Sequence, residues 1–88
     1  MRPTGKELIK QVEELSSPDQ KIEYVLHKDY GGDTAVIQLN PKFGEKKQKK
    51  YLLGWKRPGA DNSKLTHLMA SDKAKDVANW VSDRLGLE

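Results

Sequence analysis

The sequence predicts an α+β fold: an antiparallel three- to four-stranded sheet with N-terminal and C-terminal helices packed on one face, in the order α-β-β-β-(β)-α. Three observations predict it. Apolar residues recur at helical spacing near both ends of the chain, they alternate with polar residues through the middle, and clusters of Gly, Pro, Asn and Asp separate these patterns. Eighty-eight residues make a single small domain with one modest core. The hydrophobic share is only 35 %, but it is periodic, which argues against disorder.

The first helix is signalled by Thr4 and Glu7, which stand at capping-box spacing. The hydroxyl accepts from a free amide of the first turn while the carboxylate reaches back to the cap, and Pro3 sits just outside. Leu8, Ile9, Val12 and Leu15 share one face, with Lys6, Lys10, Glu13 and Glu14 turned mainly to water. Pro18 disfavours a helical Ser17, so the helix is expected to stop at about Leu15 or Ser16.

A β-hairpin follows. Ile22 to Tyr30 and Thr34 to Asn40 are rich in β-branched and aromatic residues, and Gly31-Gly32 suits a two-residue primed turn. With Tyr30 opposite Asp33, the expected pairs are Leu26 with Ile37 and Tyr24 with Leu39 on an apolar face, and His27 with Val36 and Val25 with Gln38 on the other. After Asn40-Pro41, the segment Phe43 to Gln48 reads as a flexible, solvated loop. A third strand, Lys49 to Lys56, sets Tyr51, Leu53 and Trp55 against Lys50, Leu52, Gly54 and Lys56.

Arg57 to Asn62 is a second turn-rich loop. Leu65 to Ala70 can be drawn as a fourth strand or as helix. The strand is preferred, because Leu65, Leu68 and Met69 would face away from the later stripe of Ala74, Val77, Ala78, Val81 and Leu85 on one straight helix. Ser71 is the expected N-cap of that last helix, Asp72 suits its positive end, and Gly86 supplies a stop. Trp80 flanks the stripe, with Arg84 one turn on and expected over its ring.

Charge is distributed unevenly. The net charge is only +3, yet Lys42, Lys46, Lys47, Lys49, Lys50, Lys56 and Arg57 face a single acid, Glu45, within one stretch, and the remainder is slightly acidic. Such a concentration creates a local potential that a phosphate backbone or an acidic surface would feel. Phe43, Tyr51 and Trp55 interleave with it. Cations that track phosphates beside rings that stack bases are the physical basis of single-strand binding. Tyr51 and Trp55 share a face with Leu53, so at least one of them belongs to the core and Phe43 is the more exposed ring.

Other chemistry finds little footing. There is no cysteine, so disulfides, thiolate metal sites and cysteine nucleophiles are excluded. His27 and His67 are the only histidines, and no metal or other cofactor is expected. Asp29 and Asp33 flank the glycine pair and read as turn chemistry. No serine has a nucleophile-elbow context, no catalytic residue is assigned, and no small-molecule substrate is evident. The start of the chain lacks the apolar core of a signal peptide and no run could span a bilayer, so a cytoplasmic protein with no membrane partner is expected. The closing Leu87-Glu88 pair has the form of a vector-derived tail and is given no weight.

The element order resembles that of double-stranded-RNA-binding domains, which run helix, three strands, helix. Those domains carry a lysine cluster at the start of the second helix, where this chain has Asp72, Lys73 and Lys75, and they have no counterpart of the stretch Arg57 to Met69. The last four strands and helix equally resemble a Whirly-type single-strand binder by order alone. No functional residue is carried over from either.

The expectation is therefore a non-enzymatic nucleic-acid-binding module, its partner a single-stranded nucleic acid or RNA. Lys42, Phe43, Lys46, Lys47, Lys49, Lys50, Trp55, Lys56 and Arg57 form the candidate interface. The alternative is a protein-interaction module or homodimer that uses the outer sheet face around Val25, His27, Val36 and Leu52.

Overall fold

The structure, a computed structural model, describes residues 4–85; Pro3, Gly86 and the Leu87-Glu88 pair lie outside the described residues. Helix α1 spans Gly5–Glu13, strands β1 to β4 span Lys21–Val25, Thr34–Leu39, Tyr51–Lys56 and Thr66–Ser71, and helix α2 spans Ala74–Ser82. The strands form one antiparallel sheet in the order β1-β2-β3-β4. Both helices lie on the same face of it, and the expected α+β architecture is the observed one.

The helices form where the sequence signals them. Thr4 caps α1, its hydroxyl accepting from the Glu7 amide at 3.1 Å. Leu8 and Val12 of α1, Val77, Ala78 and Val81 of α2, and Leu85 after it meet Ala35, Ile37, Tyr51 and Leu53 of the central strands in one buried cluster. Burying a Leu or Ile side chain this completely is worth about 1.5–3 kcal/mol, so the central pair Ile37 and Leu53 anchors the sheet to both helices. Tyr24 adds a polar tie, its hydroxyl donating to Gln11 Oε1 at 2.8 Å.

The hairpin register differs from the expected one. Ile22, not Leu26, lies opposite Ile37, and Val25 pairs with Thr34. The glycine turn does form, with Gly31 and Gly32 both at positive φ and the Asp33 amide donating to the Tyr30 carbonyl at 3.3 Å. The strand, however, stops at Val25. His27 starts a short 3-10 turn, Lys28–Tyr30, its Nδ1 accepting from the Asp29 amide at 3.0 Å. The His27 amide itself donates to the Arg84 carbonyl at 2.9 Å, which ties it to the end of α2 rather than to β2. Four residues, His27 to Tyr30, are thereby folded out of the ladder. Four is an even number, so the apolar face of β1 still points at the helices.

Two further boundaries move. Ser71 ends β4 and does not cap α2; its hydroxyl accepts from the Lys73 amide at 3.0 Å and donates to Asp76 Oδ2 at 2.7 Å, bridging strand end and first helical turn. The third strand begins at Tyr51 rather than Lys49, because the Lys50 amide donates to Asp72 instead of to the ladder.

On the face away from the helices, β3 and β4 are out of step at Leu53/Gly54. A side chain at Gly54 would sit 2.8 Å from Leu65 Cγ and 2.9 Å from the Thr66 carbonyl oxygen, so only glycine lets this crossing approach. Val36, paired with Gly54, is fully buried beside it. The outer face proposed for protein contact is thus interrupted: Val36 is covered, His27 has left the strand, Leu52 is half-buried and Val25 alone is widely exposed.

Candidate nucleic-acid interface

The basic stretch is divided by β3. A six-residue strand is about 20 Å long, so Lys42 to Lys50 and Trp55 to Arg57, adjacent in sequence, stand at opposite ends of the sheet. Tyr51 and Leu53 between them are core.

At the first end the loop from Asn40 to Lys50 is a series of turns, and Phe43 to Gln48 are exposed on it as expected. Buried Asn40 organises it: Nδ2 donates to Gln48 Oε1 and to the Lys49 carbonyl, both at 2.9 Å, and Oδ1 accepts from the Lys42 amide at 3.0 Å. Reverse turns close Phe43 onto Asn40, Glu45 onto Lys42 and Gln48 onto Glu45. An Asn before Pro is the sequence signal for this chemistry, since its side chain readily bonds the backbone two residues on.

Asp72 then joins this loop to the start of α2. Its Oδ1 accepts from the Lys50 amide at 3.0 Å and its Oδ2 lies 3.6 Å from Lys49 Nζ. Tyr51 pairs with Ser71, so Lys73 and Lys75 arrive at the same end, where with Lys50 and Tyr51 they line a cleft of ≈ 620 Å³ floored by Ile9 and Ala74 and edged by Glu13 and Asp72. Sequence reasoning did not place Lys73 and Lys75 beside the loop lysines. Their contribution depends on strand pairing across some twenty residues, which no local pattern reveals.

Lys42, Lys46, Lys47 and Lys49 are exposed and Lys50 is half-buried, its Nζ 5.4 Å from the Tyr51 ring centre. Among the described residues Lys42, Lys46 and Lys47 have no carboxylate within 4.0 Å, whereas Lys49 is held by Asp72. Phe43 stands 55 % exposed on the same loop.

At the opposite end Lys56 is only 11 % exposed at its side chain, donating to Asn62 Oδ1 at 2.8 Å and pairing with Glu23 at 3.2 Å. That is a structural tie. Trp55 is half-buried on the helix side, and Arg57 lies over its ring at 5.5 Å. Arg84 stacks on Trp80 at 4.0 Å, as expected.

Comparison with protein-family models, curated proteins and solved structures finds no match to this chain. Among the described residues no three His, Cys, Asp or Glu side chains are grouped to hold a metal ion, and no helix is long and apolar enough to cross a membrane.

Proposed function

We propose that the protein is a non-enzymatic nucleic-acid-binding module whose primary contact surface is the lysine-bearing end of the sheet. One observation carries the reading: Asp72 ties the β2–β3 loop to the start of α2, so that five loop lysines and Lys73 and Lys75 share one end, outnumbering Glu13, Glu45, Asp72 and Asp76. A preorganised cationic end attracts a polyanion without first having to order a floppy loop. The exposed Phe43 ring adds a face on which a base can stack.

The test is a titration with short single- and double-stranded oligonucleotides at several salt concentrations. About five phosphate contacts give a slope of log affinity against log salt of roughly −3.5 to −4.5. Changing Lys46, Lys47, Lys49 and Lys50 to Gln makes the slope shallower by roughly 0.7–0.9 for each phosphate left without its cation. A flat salt response, or a doubling of mass with concentration and no oligonucleotide response, overturns the proposal in favour of a protein-interaction role.

A further inference from the structure

The other end of the sheet carries a second feature that the lysines do not explain. Trp55 of β3, Trp80 of α2, Tyr30 of the β1–β2 connection and Leu68 of β4 surround a pocket of ≈ 280 Å³, with Leu26 and Asp33 completing its lining. One Asp33 carboxylate oxygen, Oδ1, has no hydrogen-bond partner and is closed to water, so a donor entering the pocket reaches it only by displacing the side chains that cover it. A buried acceptor left unpaired is destabilising, so it creates a demand for an N–H or O–H donor.

The charges at the rim select among aromatic-pocket ligands. Arg84, anchored by its Nη1 to the Trp80 carbonyl at 2.9 Å, lies 4.0 Å from the Trp80 ring centre and 5.8 Å from that of Tyr30, and Arg57 lies 5.5 Å from Trp55. One face of each indole thus already carries a guanidinium. An incoming ammonium would be repelled by both guanidiniums, whereas a flat base with its phosphate would stack on an indole and pair with an arginine.

We infer that this pocket receives one nucleobase of the bound strand, and that Asp33 selects a base whose edge presents amino and imino donors, guanine above all. Guanine sets its N1–H and amino group side by side, which an acceptor-only carboxylate can satisfy. Thymine and uracil set carbonyl oxygens on both sides of their single N–H, which the carboxylate repels. The pocket lies at the lower limit of ligand-site volumes, as one base requires. This inference rests on the proposed nucleic-acid role, with the lysine end supplying affinity and the pocket supplying base preference.

The experiment compares an oligothymidylate of about eight nucleotides with the same oligomer carrying one guanine, following the indole N–H signals of Trp55 and Trp80 by NMR. The guanine oligomer is expected to bind at least about fivefold tighter and to move both signals, and Asp33→Asn to abolish the preference while leaving the salt slope intact. Should that variant not fold, guanosine monophosphate against thymidine monophosphate on the unaltered chain asks the same question. Equal affinities with a normal salt slope overturn the base pocket and leave the lysine reading standing; no salt-sensitive binding by any oligomer removes both. Movement of the same signals by tetramethylammonium chloride at concentrations below those needed of guanosine monophosphate makes the occupant a cation and also overturns it.

Discussion

Replacing Asn40 by Ala isolates the link between loop order and interface. The side chain makes three hydrogen bonds, to Gln48, Lys49 and Lys42, each between 2.9 and 3.0 Å. At about 1 kcal/mol per bond, with the exposed Gln48 amide free to rehydrate, the loss comes to about 2–3 kcal/mol. For a domain of this size that lowers Tm by about 10–20 °C. Urea denaturation followed by tryptophan fluorescence measures it directly, with a lower midpoint and an unchanged slope. The Lys42 amide, bonded to Asn40 Oδ1, should lose its protection from hydrogen exchange. Asn40→Asp keeps that acceptor but sets an oxygen against the Lys49 carbonyl, so it should be destabilised by at least about 1 kcal/mol. Oligonucleotide affinity should fall in the Ala variant without a change of salt slope, because every lysine is still present. A loss below about 0.5 kcal/mol, the range of ordinary surface substitutions, would refute the idea that Asn40 holds the loop.

Three further outcomes can be checked. Gly54→Ala drives a methyl against Leu65 and the Thr66 carbonyl, and calorimetry should show a loss of about 1–3 kcal/mol; an unchanged Tm would mean that the crossing is slack. Lys56→Gln should leave the salt slope of oligonucleotide binding unaltered, because this ammonium is committed to Glu23 and Asn62; a slope shallower by about 0.7–0.9 would return Lys56 to the interface. Asp61 accepts from the Ser63 hydroxyl and amide with Lys56 nearby, which holds its carboxyl below the ordinary value of 3.8. Its support of the Asn62–Lys64 turn is therefore complete above that value and is lost as pH falls through the lower folded one, and a carboxyl-carbon titration with its midpoint at or above 3.8 would contradict this.

Local chemistry made much of the fold legible. Thr4 at the head of α1, the stripe from Ala74 to Leu85, the alternation of Tyr51, Leu53 and Trp55 and the glycine pair all act within a few residues, and each sits where its pattern indicates. The strand reading of Leu65 to Ala70 stands with a one-residue shift to Thr66–Ser71. The hairpin slipped because a His27-capped turn and the Arg84 carbonyl outcompeted four more ladder residues, a contest between segments nearly sixty positions apart. Asp33 closes the glycine turn as its place in the sequence indicates, and only the fold shows that it also lines a pocket with two tryptophans and a tyrosine.

Residue order alone determined which side chains face the sheet's interior and where the cations are dense, since both follow from backbone periods of 2 and 3.6 and from composition. Tertiary structure decided which of those cations stand together. An extended strand carried Trp55, Lys56 and Arg57 away from the loop lysines, antiparallel pairing brought Lys73 and Lys75 to them, and one carboxylate, Asp72, clasped the two segments. Electrostatic potential depends on distance through space, and that distance exists only once the strands have paired.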